Sequence, residues 1–323
     1  MTKELYENDL VFADTMNVLF FDGESMIRAQ DLSPLDPTEE HTIFDDDFVS
    51  ITESEGKTDK TQRKAEAFSN QKYRDVLRML QTQNGKLEVR IIVGAEIQSH
   101  IHYAMPIRNF EYDALNLSRQ LSARQKYNRE NHLLKSRNEF LSGIKKGETF
   151  TPVLTVVVYL GKETWDAPKT LHEMFNLDGV PETLLAYVPD YRTAILQPES
   201  VTSKQLARMK SPLRHILGVI KASTNWQDMN NYVNQNKNDL SHLDSLTAGI
   251  ISEACNMNIP KQELEKEDVN MCNALVEMKA IARSEGELIG KILAYLDCGK
   301  SDEWIVDHLQ ISQEKLNELR NNL

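Results

Sequence analysis

The chain has 323 residues, 40% of them hydrophobic, which is enough for a substantial core in one large domain or two smaller ones. Its net charge of −12 argues against nucleic-acid binding by a uniformly basic surface, and its three isolated cysteines indicate reduced core thiols rather than structural zinc. The N-terminus lacks a basic segment followed by an apolar one, and no stretch reaches the roughly 18 apolar residues of a membrane span, so we expect a cytoplasmic protein without a membrane partner.

The first predicted element is an amphipathic helix over residues 3–21, followed by a short strand near 23–27. Asp14 lies in this helix among apolar neighbours, where an unpaired carboxylate would be costly to bury. If Asp14 is buried, it needs a partner or a metal ion. The alternative is a half-exposed acid on the flank of the helix.

Residues 33–69 are rich in proline and polar residues, which predicts a loop region with a short strand over 42–48. Three consecutive acids occur here, at positions 45–47. Consecutive acids in a polar loop are usually solvated, so we do not interpret them as a metal site.

Residues 73–98 predict two strands joined by a tight turn, because two apolar runs flank Asn84 and Gly85. Asn-Gly is the strongest short hairpin signal, since a type I′ turn needs positive φ at both central residues. If these two residues form the whole loop, Gln83 pairs with Lys86.

The predicted hairpin brings two carboxylates to one face. In this register Asp75 lies opposite Gly94, and because side chains alternate, Glu96 and Gln98 share its face, with Glu96 roughly 7–8 Å away along the diagonal. Oxygen ligands converging beside a glycine suit a hard divalent cation with open positions for water and phosphate. The alternative is a pair of solvated strand-end acids, and a slip of one residue would separate them.

Two histidines, His100 and His102, follow the second strand at a spacing that metal ligands can have. We prefer to interpret them as turn or supporting residues rather than as ligands.

A long helix is predicted from Met105, with Pro106 in its first turn, and it continues into a basic stretch. This stretch is either a surface that contacts phosphates or an ordinary solvated helix face. Its basic residues are Arg119, Arg124, Lys126, Arg129, Lys135, Arg137, Lys145 and Lys146.

Residues 152–161 are apolar at both alternations, which predicts a strand buried on both faces. Residues 184–196 predict another strand, with a break at Pro189. From residue 203 the periodicity is helical, over 203–222, 227–235, 239–256, 261–284 and 286–297.

The C-terminus predicts two short helices with Ser301 and Ser312 as N-caps, an arrangement similar to a small helix-turn-helix. The last helix is not strongly basic. We therefore favour packing or self-association into a homo-oligomer over DNA recognition for this region.

The order of elements, helix, three strands, helix and strand, resembles the PD-(D/E)XK restriction-endonuclease-like αβββαβ core, an α/β (α+β) fold. Five segments follow this order: FADTMNVLFFDG at 12–23, QKYRD at 71–75, GAEIQ at 94–98, IHYAMPIRNFEYDA at 101–114 and PVLTVVVYLGKETWDAPKTLHEM at 152–174. Through these segments the chain is similar to the PD-(D/E)XK family transposases and recombination-promoting nucleases of bacteria over about residues 1–200, which leaves 201–323 as a helical C-terminal region.

The resemblance implies a DNA endonuclease that depends on Mg²⁺ or Mn²⁺ and takes part in transposition or recombination. Asp75, Glu96 and the main-chain carbonyl of Ile97 would hold the metal ion, and Asp14 would correspond to the acidic residue of the first helix. The helix with Arg119, Arg124 and Lys126 would contact DNA phosphates.

Gln98 stands where the family pattern has Lys or Gln, so this chain has the neutral residue of the two. A lysine would orient and help deprotonate the attacking water, whereas a neutral glutamine can only orient it. Lys64 or Lys72 could supply the charge instead. The alternative function is therefore a catalytically weak or inactive nuclease-fold protein that acts in DNA binding or protein assembly.

Overall fold

The structure is a computed structural model that describes residues 2–36, 38–43, 68–73, 75–83, 88–257 and 259–321. Its contacts divide the chain into two compact units, Thr2–Ser211 and Pro212–Leu323. The sequence predicts a boundary after residue 200. The next helix, Ser203–Arg208, belongs to the first unit by its contacts, so the contact boundary lies after Ser211.

The first unit is built on a five-stranded mixed sheet and a separate two-stranded antiparallel pair. The strands are β1 (Leu32–Pro34), β2 (Thr38–Ile43), β3 (Phe68–Tyr73), β4 (Val76–Gln83), β5 (Glu88–Gln98), β6 (Val153–Tyr159) and β7 (Ala194–Leu196). The five-stranded sheet has the order β1-β4-β5-β6-β7, and β2 pairs with β3. The pairs β1–β4 and β4–β5 are antiparallel, whereas β5–β6 and β6–β7 are parallel. This sheet and its helices confirm a mixed α/β fold.

Six helices are described in the first unit: α1 (Thr2–Leu5), α2 (Asp9–Phe21), α3 (Met105–Glu130), α4 (Arg137–Ser142), α5 (Glu182–Leu185) and α6 (Ser203–Arg208). The helix predicted over 3–21 is divided, because the side chain of Asn8 caps α2 by accepting the Leu10 N–H at 2.9 Å. The long helix predicted from Met105 ends at Glu130, before a separate α4.

The strand predicted near 23–27 is wrong. The side-chain amide of Asn17 donates to the carbonyl of Ile27 at 2.8 Å and accepts the N–H groups of Met26 and Ile27. The backbone groups that a sheet would use are thus satisfied by one side chain of α2, and the first strand begins later, at Leu32.

The strand predicted over 152–161 is confirmed as β6, whose last five residues are buried. Of the strand predicted over 184–196, only β7 is a strand in the structure. Pro181 caps the short helix α5, and the residues between α5 and β7 are irregular. For the strand predicted over 42–48, the described residues 42 and 43 belong to β2, and the three consecutive acids lie outside the described residues.

The hairpin of β4 and β5 is confirmed, but its register differs from the predicted one by two residues. Gln83 pairs with Glu88 rather than with Lys86, and Leu77 instead of Asp75 lies opposite Gly94. The predicted register, in which Asn84 and Gly85 alone form the loop, is therefore wrong. The predicted turn at 84–85 lies outside the described residues.

Helix α3 crosses over from β5 to the parallel strand β6 and covers one face of the sheet. Thr155 of β6 donates its hydroxyl to Asp113 of α3 at 2.6 Å, and Met105 packs in one cluster with Val157 and Tyr159. Val157 lies beside Glu96 in the parallel register, so this is also the face that carries Glu96.

Helix α2 packs on the opposite face. Arg78 follows Leu77 in β4 and so points to the other side of the sheet. Its Nε donates to Asp9 of α2 at 2.7 Å, and its guanidinium lies 5.9 Å from the centre of the Phe12 ring. The sheet is thus a middle layer between α2 and α3.

The second unit is mainly helical in the described residues, as predicted, but the helices predicted over 203–222, 239–256 and 261–284 are each interrupted, at 209–212, 241–244 and 265–270. Its helices are α7 (Leu213–Ala222), α8 (Trp226–Gln235), α9 (Lys237–Leu240), α10 (Ser245–Ala254), α11 (Lys261–Leu264), α12 (Met271–Asp297), α13 (Asp302–Leu309) and α14 (Gln313–Asn321). The predicted break between 284 and 286 is wrong, because α12 continues through it. No helix in the described part of the chain is long and apolar enough to cross a membrane.

The two C-terminal caps are confirmed. The hydroxyl of Ser301 accepts the Trp304 N–H at 3.3 Å, and that of Ser312 accepts the Lys315 N–H at 3.1 Å. Cys298, at the end of α12, is exposed, so the prediction of three core thiols is wrong at this position.

Candidate active site

Asp75 lies immediately before β4, at the end of the hairpin where β5 finishes. Its Oδ2 accepts the main-chain N–H of Ile97 at 2.8 Å. One further step in the observed register, from the pair Val76–Ala95, places Asp75 directly opposite Glu96. The residue of β5 opposite Asp75 is thus two positions further along the strand than predicted. A shift of two residues preserves the alternation of side chains, so the two acids share a face as predicted.

Glu96 lies near the end of β5 and points toward α3. Its side chain is completely buried, and its Oε2 lies 2.9 Å from a terminal nitrogen of Arg108. A buried carboxylate needs a counter-charge, since an isolated one would be very costly in an apolar interior. Arg108 provides that charge.

Arg108 is held between Glu96 and an aromatic side chain of its own helix. Its Nε donates to the hydroxyl oxygen of Tyr112 at 3.1 Å, one helical turn further along α3. The guanidinium also lies 5.6 Å from the centre of the Tyr112 ring. The fork of the guanidinium therefore joins a buried acid to a buried phenol.

The charges of both acids act on this arginine and tyrosine. Partial burial tends to lower the pKa of Arg108, but the charges of Glu96 and Asp75 and the hydrogen bond to Tyr112 outweigh it, so the pKa is raised. The pKa of Tyr112 is raised mainly by burial and then by Glu96, with Asp75 adding to it. Asp75 and Glu96 thus belong to one electrostatic site over the N-terminal part of α3.

The backbone of β5 contributes a third oxygen on the same side. The carbonyl of Gln98 accepts the Leu160 N–H at 2.9 Å, which directs it toward β6. Neighbouring residues of a strand direct their backbone groups to opposite edges. The carbonyl of Ile97, like its N–H, is therefore directed toward Asp75.

The donor set fits a hard divalent cation in its chemistry, because it consists of two carboxylates and a main-chain carbonyl, all oxygen. No group of three or more His, Cys, Asp and Glu side chains in the described residues could hold a metal ion. His100 and His102 therefore do not join the two acids. Their ring nitrogens instead contact local groups, the Ser99 hydroxyl and the Ala104 N–H, as the interpretation as turn histidines predicts.

The structure does not bring Asp14 to this site. Asp14 is buried on α2, which packs on the opposite face of the sheet, and its Oδ2 accepts the main-chain N–H groups of Lys210 and Ser211 at 2.8 and 2.7 Å. Of the two outcomes expected for a buried Asp14, a partner or a metal ion, the described contacts provide the partner.

The other residues that the sequence singles out lie around the site or along α3. Gln98 is half-buried at the end of β5, on the face of Glu96. Arg119, Arg124 and Lys126 are exposed on α3. Lys64 and the side chain of Lys72 lie outside the described residues.

Two of the three predicted phosphate-contacting residues already have acidic neighbours. The Nε of Arg124 lies 3.5 Å from Glu148, and the Nζ of Lys126 lies 3.9 Å from Glu130. A phosphate would compete with these acids for the basic side chains.

Sequence reasoning missed Arg108 and Tyr112, although both lie in the segment 101–114. Their spacing of four residues puts them on one helix face, and that face also carries the buried residues Met105, Asn109 and Asp113. A polar arginine at a core-facing position was the signal that could have identified them.

Comparison with known families gives a match. A family described as putative transposase, YhgA-like, matches residues 65–250, a range that contains Asp75, Glu96 and Arg108. No curated protein and no solved structure matches the chain.

Proposed function

Because the chain belongs to the family of putative transposases described as YhgA-like, whose match covers more than half of it, we propose that it is a metal-dependent DNA endonuclease that acts in transposition or recombination. The observation that carries this proposal is the convergence of Asp75 and Glu96 at the end of one hairpin. The mixed sheet between α2 and α3 agrees with a PD-(D/E)XK core.

In this proposal Asp75, Glu96 and the carbonyl of Ile97 hold Mg²⁺ or Mn²⁺. The ion, when bound, offsets charge on the scissile phosphate and lowers the pKa of a bound water. The Ile97 N–H fixes the Asp75 carboxylate by its hydrogen bond at 2.8 Å. Gln98, on the same face, orients the water through its amide but cannot take a proton from it.

Nicking of supercoiled plasmid by the full chain tests the proposal. We expect cleavage with Mg²⁺ or Mn²⁺ and its loss with a chelator. Each of the changes Asp75→Asn and Glu96→Gln should lower the rate by about 100-fold or more, because each removes one ligand charge. The exposed acid Asp178 of the same unit provides a matched control, Asp178→Asn, that should cleave like the wild type. Equal nicking by all four proteins would mean a contaminating nuclease.

A second candidate function is supported by Gln98. A site without the motif lysine fits a nuclease fold that binds DNA or assembles with other proteins without cleaving. Salt-sensitive DNA binding with no cleavage in any divalent metal would favour this alternative, and metal-dependent nicking that requires Asp75 would exclude it.

A further inference from the structure

We infer that Arg108 is the phosphate-binding cation of this site: it competes with the divalent ion for Glu96 and supplies the fixed positive charge that Gln98 lacks. The inference rests on the proposed function and assigns a role within it. It starts from one contact, the distance of 2.9 Å between Arg108 and the Oε2 of Glu96.

The first half of the inference follows from the burial of Glu96. Its carboxylate is completely buried, so it is stable as an anion only beside a positive charge. The guanidinium that provides this charge and a divalent cation would bind the same carboxylate. Any ion that binds Glu96 must therefore displace or share the guanidinium, which weakens its binding.

The second half follows from where the guanidinium lies. The side chain of Arg108 is 36% exposed although its partner Glu96 is buried, so it reaches from the acid toward solvent. The hydrogen bond from its Nε to Tyr112 limits how far it can turn. A partly exposed positive charge beside two carboxylates is suited to binding the phosphate that approaches them.

These two roles predict effects of opposite sign when the charge is removed. Loss of the competing cation should strengthen binding of the divalent ion, whereas loss of the phosphate-binding charge should slow cleavage. A purely structural arginine would not produce these opposite effects, since its loss would weaken binding of the divalent ion and also slow cleavage.

The test uses the full chain with Mn²⁺ as the probe. Free Mn²⁺ is followed by electron paramagnetic resonance to obtain Kd, and plasmid nicking is measured at saturating Mn²⁺. For Arg108→Gln we expect Kd to fall about 5- to 10-fold, as one competing charge is lost at close range, and the cleavage rate to fall about 100-fold. Arg192→Gln, which changes an exposed arginine of the same unit away from α3, is the control and should leave the Kd and the cleavage rate unchanged.

Arg108→Lys keeps a positive charge but cannot bridge Glu96 and Tyr112 with one planar group. It should bind Mn²⁺ about 2- to 3-fold more tightly than the wild type and cleave faster than Arg108→Gln. If Arg108→Gln does not fold, this variant decides alone, and weaker Mn²⁺ binding than in the wild type would overturn the inference.

The outcomes separate the inference from the proposed function. If wild-type Mn²⁺ binding does not depend on Asp75, the proposed function itself fails. If it does depend on Asp75 but Arg108→Gln weakens Mn²⁺ binding, only the role of Arg108 fails. Loss of cleavage in Lys72→Gln with normal cleavage in Arg108→Gln would assign the missing charge to Lys72 instead.

Discussion

Glu96 and Asp14 are both buried carboxylates, but they are stabilised by different partners. Glu96 faces the side-chain guanidinium of Arg108, whereas Asp14 accepts two main-chain N–H groups of the segment after α6. Backbone amides cannot move away without moving the chain. The contacts of Asp14 therefore indicate a structural role, and those of Glu96 are compatible with ligand exchange.

This difference predicts the effect of changing Asp14. Asp14→Ala leaves the N–H groups of Lys210 and Ser211 without their acceptor and should lower the free energy of unfolding by about 2–4 kcal/mol. Asp14→Asn keeps one side-chain oxygen and should cost less. The loss is measured by urea denaturation, and the Mn²⁺ affinity of the folded variants should equal that of the wild type. Normal stability with lost Mn²⁺ binding would instead make Asp14 a ligand.

The two acids of the site could be predicted from the sequence because alternation along a strand survives an error of two residues in register. Gln83 pairs with Glu88 instead of Lys86, yet Asp75 and Glu96 still share a face. Arg108 could not be predicted in the same way. Its contact depends on how α3 lies over β5, and that placement is a tertiary property that no local pattern encodes.

Among the elements, those with a strong periodic signal were predicted and those set by a single side chain were not. The buried strand β6 is apolar at both alternations, so its burial follows from the sequence. The segment after α2 is instead fixed by three hydrogen bonds to the amide of Asn17, which leaves no periodic signal. The N-caps Ser301 and Ser312 could also be predicted, because each serine accepts a hydrogen bond from a residue only three positions further along the chain.

Two helical glycines of the second unit differ in the space around them. A Cβ on Gly218 of α7 would collide with the ring and hydroxyl of Tyr232 of α8, which is held by its hydrogen bond to the carbonyl of Arg214 at 3.2 Å. Gly290 of α12 has no heavy atom of the described residues within 4 Å of such a Cβ. Helices α7 and α8 can thus approach closely only because position 218 has no side chain.

We therefore expect Gly218→Ala to lower the free energy of unfolding by about 1–3 kcal/mol through overpacking. Gly290→Ala should raise it by about 0.5–1 kcal/mol, because alanine loses less backbone entropy in a helix. Thermal unfolding of both variants measures the two signs. Equal effects of the two changes would contradict the close packing of α7 on α8.

The proposed DNA contacts differ in charge from the chain as a whole. The net charge is −12, so the chain as a whole repels DNA, while Arg119, Arg124 and Lys126 lie exposed on α3. Two of these three are held near Glu148 and Glu130. Local acids thus weaken the one basic stretch that we propose binds phosphates.

Removing one of these acids should strengthen DNA binding. Lys126 and Glu130 form an exposed pair with an N–O distance of 3.9 Å, so Glu130→Gln should change stability little and leave Lys126 available to a phosphate. We expect duplex DNA affinity at low salt to rise about 2- to 3-fold, and Lys126→Gln to reduce the slope of log K against log salt by about 0.9. Fluorescence anisotropy between 50 and 200 mM salt, without divalent ions, measures both changes.

Glu182→Gln, which changes an exposed acid on α5, controls for the loss of one negative charge elsewhere. If Glu182→Gln strengthened binding as much as Glu130→Gln, the effect would come from net charge, and the assignment of α3 as the DNA-binding surface would be lost.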